Sequence, residues 1–218
     1  MKTQRLTRAE SREQTRERLL EAARKLFVRK GVAATSVEDI AEVAGYTRGA
    51  FYSNFGGKLE LLLESLRRDD DRARASLQAI IEESDTPEEM KARTIAYFEQ
   101  CLLEHESFAL WLEATRLACR NTGLQARIGA FQHDRLEHLS AHIRMVSERI
   151  GRPLSVQADA VAFSLAALCE GVQLFRMRNH QMMSDQAIQT ALAGFFSYVS
   201  SQWVEEGLCH DHCASVPG

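Results

Sequence analysis

The stretch from Thr35 to Lys58, TSVEDIAEVAGYTRGAFYSNFGGK, contains two helix starts about a dozen residues apart with a glycine between them. Thr35 and Ser36 offer two capping-box frames that differ by one residue. Gly45 stands where the chain must reverse, because glycine adopts a left-handed backbone without steric cost. Thr47 can then cap a second, short helix. Two helices joined by a tight turn that contains glycine predict a helix-turn-helix.

The rest of the chain is also predicted to be helical. Ala, Leu, Glu, Arg and Gln dominate its 218 residues, while prolines number 3 and glycines 12, and all five residue types favour helices. Apolar residues recur at helical spacing in several long segments. We therefore expect an all-α protein of about nine helices. The expected parts are a three-helix domain over 1–57 with the helix-turn-helix at about 35–55, a helical bundle over 58–205, and a flexible tail over 206–218.

Charge is distributed unevenly along the chain. Residues 1–60 carry 12 Lys and Arg against 8 Asp and Glu, whereas the remaining residues carry 15 against 22. A basic front and an acidic rear indicate two tasks, with an anionic partner for the front. The alternative is a basic helix that is merely solvated.

Several classes of protein are disfavoured by what the sequence lacks. The first residues show no apolar segment typical of a signal peptide, and no uncharged apolar stretch of about 18 residues is present. We expect a cytoplasmic protein without a membrane partner, whose 5 cysteines are mostly reduced thiols. Phosphate-binding loops, nucleophile elbows and supported carboxylate pairs are not found. We expect neither an enzyme nor a cofactor.

The second short helix carries groups on its outer face that suit a DNA major groove. Its inner face would be held by Phe51 and Phe55, which leaves its amino-terminal end to enter the groove. Arg48 can donate two hydrogen bonds to a guanine. Gly49 has no side chain, so the backbone of the helix could approach DNA closely at this position. Phosphate contacts are expected from Tyr52, Ser53, Asn54 and Lys58. The alternative is a surface helical hairpin with incidental polar residues.

These residues resemble the DNA-binding domain of the TetR family of bacterial transcription regulators. The family pattern is matched by Ala22-Ala23, Leu26-Phe27, Gly31, Thr35-Ser36-Val37, Ile40-Ala41, Ala44-Gly45, Thr47, Gly49, Tyr52, Phe55, Lys58 and Leu61. Tyr46 and the pair Ser53-Asn54 depart from it, which puts the DNA sequence that is read in doubt. The resemblance implies a homodimer on a palindromic double-stranded operator, usually a repressor released by a small molecule. The expected DNA contacts are Thr35, Ser36, Tyr46, Thr47, Arg48, Gly49, Tyr52, Ser53, Asn54 and Lys58.

The last two long helices are rich in small residues that permit close packing. They are predicted near 156–177 and 185–204, and the resemblance makes them the dimer interface. The expected interface residues are Ala160, Ala167, Gly171, Ala191 and Gly194, with Ala166 and Ala193 beside them. The alternative is that both helices belong to the core of a monomer.

An apolar pocket is expected in the rear helices. Because these helices show no clustered charged set, a largely apolar effector is favoured. The candidate walls are Phe98, Cys101, Phe108, Trp111, Thr115, Phe131, His138, Phe163 and Phe175. For each of these residues, plain core packing is the alternative.

The tail sequence CHDHC, Cys209–Cys213, holds metal-competent side chains. Its spacing matches no familiar zinc pattern, so no metal site is predicted there. Thiol sensing by Cys101 or Cys119 is a further alternative, although neither pairs visibly with a nearby His or Lys that would lower its pKa. A DNA-binding protein that responds to no ligand, or one that responds to a metal or a thiol oxidant, therefore remains open beside the ligand-released repressor.

Overall fold

A computed structural model of the chain describes residues 7–179 and 184–202. The tail over 206–218, including Cys209–Cys213, lies outside the described residues, and so do the last residues of the predicted ninth helix. The described residues form nine helices, which confirms the all-α prediction: α1 Arg8–Lys30, α2 Val37–Ala44, α3 Arg48–Tyr52, α4 Lys58–Glu83, α5 Pro87–Leu103, α6 Glu106–Ala118, α7 Thr122–Ile150, α8 Ala158–Arg178 and α9 Asp185–Ser201.

The helix ends follow the local sequence with one correction. Ser36, not Thr35, caps α2: its hydroxyl accepts from the amide of Asp39 at 3.0 Å, and the Asp39 carboxylate accepts from the amide of Ser36 at 2.9 Å. Of the two predicted capping boxes, the one that begins at Thr35 was therefore wrong. Gly45 ends α2 in the left-handed conformation with φ 75°, and Thr47 caps α3 by accepting from the amide of Ala50 at 3.2 Å. The turn is built as the sequence predicts.

The chain divides into two compact units. The first comprises the residues up to Arg72 together with His105–Phe131, and the second comprises Ala73–Glu104 with the residues after Phe131. The predicted boundary at residue 57 therefore differs from the structure, because the first part of α4, all of α6 and the start of α7 group with α1–α3. Both α4 and α7 are continuous helices that contribute to each unit.

The first unit has a densely buried centre. Helix α1 packs against α2 and α6, and α2 packs against α3. The side chains with 2% or less of their surface exposed include Leu19, Ala23, Val32, Ile40, Phe51, Phe55, Leu61 and Leu62. The inner faces of the two short helices are thus held by apolar burial in this centre.

The second unit is held by three apolar clusters. Helix α5 packs against α8 and α9, and α8 packs against α9. The buried centres are Leu102, Leu165, Val172, Ile188 and Leu192; Leu77, Ile80, Ile81 and Met90; and Ile143, Val161, Ala162 and Val199. Leu139, from α7, packs against all three, so this helix links them.

Helix α8 is unusually apolar for its exposure. It is the one helix of the described residues that is long and apolar enough to cross a membrane by length and composition, and 22% of its apolar window is buried. Core helices of globular proteins pass the same test, so this observation is weak as a membrane signal. Because so little of this window is buried, α8 exposes a largely apolar surface that the described residues do not cover.

Candidate nucleic-acid interface and candidate ligand cavity

Helix α3 is anchored by aromatic residues on its inner side. Phe51 is fully buried, and its ring lies 5.3 Å from that of Tyr52 and 6.1 Å from that of Phe55. Arg16 of α1 places its guanidinium 4.4 Å from the centre of the Phe55 ring and donates to the carbonyl of Asn54 at 2.8 Å. These contacts fix the position of a helix that is too short to be stable by itself.

The outer face of α3 carries the polar residues expected there. Thr47, Arg48, Gly49, Tyr52 and Ser53 are all exposed. The Arg48 guanidinium contacts Glu38 of α2 at 3.0 Å and lies 5.5 Å from the centre of the Tyr52 ring. Arg48 is therefore held at the front of α3 by one carboxylate and one ring, both of which are themselves exposed.

Ser36, Tyr46 and Asn54 lie around this face with different exposures. Ser36 is exposed and Tyr46 is half-buried. The hydroxyl of Ser53 and the side-chain amide of Asn54 both donate to the carbonyl of Ala50, at 2.9 and 2.8 Å. These two side chains close the end of α3, so a phosphate contact would have to use the remaining capacity of the exposed Ser53 hydroxyl.

Two of the expected DNA contacts are placed differently from the prediction. Thr35 is 1% exposed and donates its hydroxyl to the carbonyl of Gly31 at 2.7 Å, so its side chain supports the loop and does not face outward. The Lys58 ammonium donates to the carbonyls of Val32, Ala33 and Thr35 at 2.7, 3.2 and 2.9 Å. Its three donors are used within the protein, where they neutralise the carbonyls that follow α1.

Helix α6 is joined to α1 by polar contacts that the sequence did not indicate. Arg24 of α1 donates to Asp69 of α4 at 2.8 Å and to the hydroxyl of Ser107 of α6 at 2.8 Å. Glu113 of α6 accepts from the amide of Val32 at 3.2 Å. A hydrogen bond to Arg116 holds the pKa of Glu113 below its usual value, and the bond to Val32 acts in the same direction. These contacts tie α6 to α1 and to the loop that joins α1 to α2.

The second unit contains a largely apolar cavity of about 270 Å³. Its walls come from α5, α7, α8 and α9 and from Arg152, two residues after the end of α7. The lining residues are Pro87, Glu88, Met90, Lys91, Thr94, Phe98, Leu139, His142, Ile143, Val146, Ile150, Arg152, Val161, Leu165, Phe195, Phe196, Val199 and Ser200. A cavity of this size and composition suits a small, mostly apolar molecule.

The predicted pocket walls agree with this cavity only at Phe98. Phe108 and Trp111 are buried in the first unit, where Trp111 lies 6.1 Å from the ring of Phe131. Thr115 of that unit is exposed and donates its hydroxyl to the carbonyl of Trp111 at 2.9 Å. Because the start of α7 groups with α6, these residues line no cavity of the second unit.

The other predicted wall residues of the second unit also lie outside the cavity. Phe163 and Phe175 are 63% and 48% exposed on α8. His138 is half-buried but is absent from the lining. Cys101 is half-buried, and its carbonyl accepts from the side-chain amide of Gln173 at 3.0 Å. A search for aromatic stripes misses the seven aliphatic residues of the wall, which are Leu139, Ile143, Val146, Ile150, Val161, Leu165 and Val199.

Thiol and metal chemistry find little support in the described residues. Burial raises the pKa of Cys101 and raises that of Cys169 to about 12, so neither is a reactive thiolate at neutral pH. Cys119 is exposed. Over residues 7–179 and 184–202, no group of three or more His, Cys, Asp or Glu is arranged to hold a metal ion. The Cys209–Cys213 segment lies outside this range.

The small residues of α8 and α9 leave an open surface. Ala160, Ala167 and Gly194 are exposed, and Gly171 and Ala191 are half-buried. A Cβ atom built at Gly171 or Gly194 would meet no atom of the described residues within 4 Å. Packing within one chain therefore gives no reason for glycine at either position. Phe163, Phe175, Met177 and Tyr198 add large exposed side chains to the same two helices.

Comparison with known proteins gives a consistent result for the amino-terminal part. Residues 19–65 match the family model described as bacterial regulatory proteins, tetR family. The regulator TtgR of Pseudomonas putida is 49% identical over 71 residues, which are 31% of this chain and 34% of TtgR. The repressor KstR2 of Mycobacterium tuberculosis is 35% identical over 102 residues, 46% of this chain and 51% of KstR2. The chain thus spans about a third to a half of the length of these relatives.

Solved structures extend the likeness to the whole fold. A transcriptional regulator from Rhodococcus sp. superimposes with a TM-score of 0.68 at 19% identity, over 85% of this chain and 96% of that one. FadR from Bacillus subtilis, solved in complex with stearoyl-CoA, gives 0.67 at 18% identity, over 84% and 97%. At such low identity these neighbours establish the fold alone.

A short exposed helix, fixed from behind by buried phenylalanines and preceded by a glycine turn, defines a helix-turn-helix DNA-binding protein. Residues 19–65 match the family model of bacterial regulatory proteins of the tetR family, and the fold is shared with a solved transcriptional regulator. Over these residues the chain is similar to the TetR family of transcriptional regulators. Proteins of this family are DNA-binding regulators and not enzymes.

Proposed function

We propose that the protein is a homodimeric repressor that binds a palindromic operator in the cytoplasm and is released by a small, largely apolar ligand. The observation that carries the proposal is the outer face of α3, where Arg48, Gly49 and Tyr52 are exposed above a fully buried Phe51. A helix that contacts base edges in a DNA groove needs a rigidly packed inner face and an exposed polar outer face.

Gly49 supports close approach of DNA to the backbone. A Cβ at this position would meet only the Thr47 hydroxyl, at 3.7 Å, which is ordinary contact. The protein's own packing therefore does not require glycine, although glycine within a helix costs about 0.5–1 kcal/mol relative to alanine. An incoming sugar-phosphate backbone gives a reason for the missing side chain. Arg48 can donate two hydrogen bonds to a guanine. To do so, its guanidinium would leave Glu38 as α3 enters the groove.

A homodimer through α8 and α9 accounts for their exposed apolar surface. Phe163 and Tyr198 are 63% and 59% exposed, and burying such side chains contributes about 1.5–3 kcal/mol each. Gly171 and Gly194 would let the helices of two chains approach closely. Ala167→Arg, an exposed site on α8, should give monomers by light scattering at micromolar concentration. Ala75→Arg, on the exposed side of α4, is the matched control. Dimers that persist in Ala167→Arg would place the interface elsewhere or assign the α8 face to another occupant, such as a membrane.

The cavity of the second unit supports a ligand-controlled regulator. Its lining is dominated by apolar side chains, and its volume of about 270 Å³ suits a small molecule. FadR, which shares the fold, was solved with stearoyl-CoA, so the fold accommodates a ligand with a long apolar part in that protein. Helix α4 contributes to both units as one continuous helix, and its Leu77, Ile80 and Ile81 form one cluster with Met90, a lining residue of the cavity.

The proposal is tested by selecting binding sites from a random duplex DNA library with the full chain. We expect an inverted repeat whose half-sites lie one helical turn or a multiple of it apart. Anisotropy titrations with the selected duplex should show saturable binding that weakens as salt rises. Failure to enrich any repeat would contradict sequence-specific binding. Operator affinity that no cavity ligand alters would leave the alternative, a DNA-binding protein that responds to no ligand.

A further inference from the structure

His142 is the polar side chain buried deepest in the wall of the cavity. It lies on α7 and is 7% exposed, and the cavity is lined by it together with apolar residues on three other helices. Its Nε2 atom is buried and has no hydrogen-bond partner among the described residues. A buried nitrogen without a partner is costly, so such a group calls for a binding partner that the cavity can admit.

The imidazole of His142 is uncharged at neutral pH. Burial alone lowers its pKa to about 4. A neutral imidazole has one nitrogen that accepts and one that donates. The two other uncharged polar residues of the wall, Thr94 and Ser200, already donate their hydroxyls to the carbonyls of Met90 and Phe196, at 2.8 and 2.7 Å. What remains on these side chains is acceptor capacity, so the uncharged polar part of the wall favours a ligand that donates.

The remaining walls favour an aromatic body without charge. Phe98 and Phe196 have ring centres 5.8 Å apart, and Phe195 lies edge-on to Phe196 at 5.6 Å. Such rings make favourable edge and face contacts with a further ring. The charged lining groups are Glu88, Lys91 and Arg152, and all three are exposed. They stand toward solvent and provide no buried counter-charge beside His142.

We propose that His142 is the polar anchor of the effector site, and that Nε2 accepts a hydrogen bond from the hydroxyl of an uncharged aromatic alcohol or phenol. This inference rests on the cavity of the second unit being the ligand site of the proposed function. It adds the chemical class of the ligand and the residue that selects it. A ligand of the same shape without a donor would leave the nitrogen unpaired.

The test compares 1-naphthol with 1-methylnaphthalene, which replaces the hydroxyl by a methyl group of similar size. Isothermal titration measures both probes on the full wild-type chain, on His142→Phe and on His133→Phe, an exposed histidine of the same helix that serves as the control. We expect the wild type and His133→Phe to prefer 1-naphthol by about tenfold or more, and His142→Phe to lose this preference. Simple partition from water favours the methyl compound, so a preference for naphthol requires a polar partner.

Nitrogen NMR of the wild-type histidines supplies a measurement that needs no variant. The Nε2 resonance of His142 should shift on addition of 1-naphthol and stay in place with 1-methylnaphthalene. An unchanged probe preference in a folded His142→Phe, an unmoved resonance, or no binding of 1-naphthol to the wild type would each overturn the proposal. Operator affinity measured on the same samples separates this failure from that of the proposed function. If 1-naphthol binds through His142 while DNA binding is absent, the proposed regulator function fails, but the proposal that His142 binds the ligand hydroxyl is supported.

Discussion

The two units differ in how they hold polar groups. In the first, the side chains on the outer face of α3 face solvent above a packed aromatic base, and Arg48 is placed by Tyr52 and by Glu38 of the preceding helix. In the second, one polar group, His142, lies inside an apolar cavity assembled from helices far apart in sequence. An exposed reading surface can therefore be specified by short-range spacing, whereas a buried site is specified by tertiary packing. The comparison is tested best by variants that affect the exposed surface of the first unit without the buried site of the second, or the reverse.

Removing the aromatic base of α3 should have the largest effect. Phe51 is fully buried, and Phe→Ala at such a site costs about 3–5 kcal/mol. Phe51→Ala should abolish operator binding and lower the unfolding free energy of the first unit in urea titrations. Binding of 1-naphthol to the second unit should persist. Tyr52→Phe, which keeps the exposed ring beside Phe51, is the stability control. Retained operator affinity in Phe51→Ala would show that α3 does not depend on its inner face.

Acid should destabilise the second unit through His142. Its pKa is 6.5 in the unfolded chain and about 4 in the folded one, so between these values the unfolded state binds a proton that the folded state does not. Stability is therefore full above pH 6.5 and falls as the pH drops toward 4, by about 3 kcal/mol in total and about 2 kcal/mol by pH 5.

The measurement is urea unfolding at pH 7 and pH 5, in the wild type and in His142→Phe. The variant should lose less stability than the wild type by about 2 kcal/mol. Ionisable groups that the two proteins share cancel in this difference. An equal loss in the two proteins would show that His142 is protonated in the folded chain and that its site is wetter than the structure indicates.

The same difference between the two units explains how much of each could be predicted from the sequence. Thr47, Gly45 and Phe51 act through neighbours within a few residues, and the structure places all three as expected. Thr35 was misplaced because two capping frames lie one residue apart, and packing decided for Ser36. The sequence did not reveal the carbonyls that hold the Lys58 ammonium, because they lie more than twenty residues earlier in the chain.

The pocket could not be predicted residue by residue. Trp111 and Phe131 have the aromatic character of pocket walls, but the grouping of α6 with the first unit removes them from the second. His142 had a weak signal, a histidine one helical turn after His138 on an amphipathic helix, and only the surrounding helices reveal that it is buried. Long-range contacts, which a single sequence does not display, decide which side chains surround a cavity.

Loss of Arg48 should reduce operator binding without affecting the second unit. Arg48→Ala removes an exposed guanidinium and should cost about 1–3 kcal/mol of operator affinity, with relaxed preference at one base position. Lys25→Ala, an exposed cation of α1 paired with Glu21, controls for the lost positive charge. Anisotropy titrations against the selected operator and its single-base variants supply both readouts. Equal effects of the two substitutions would reduce Arg48 to a general phosphate attraction.

The smallest expected effect concerns the carboxylate that holds Arg48 before DNA arrives. The Glu38–Arg48 pair at 3.0 Å has both side chains more than half exposed, so it is worth about 0.2–1 kcal/mol. Because Arg48 must leave Glu38 in order to reach a base, Glu38→Gln should strengthen operator binding by about two- to fivefold. Glu42→Gln, an exposed carboxylate of the same helix, removes the same charge at a different position. If both variants strengthen binding equally, the gain comes from net charge. If only Glu38→Gln does so, and Arg48→Ala abolishes its advantage, the ion pair itself restrains the reading residue until DNA replaces the carboxylate.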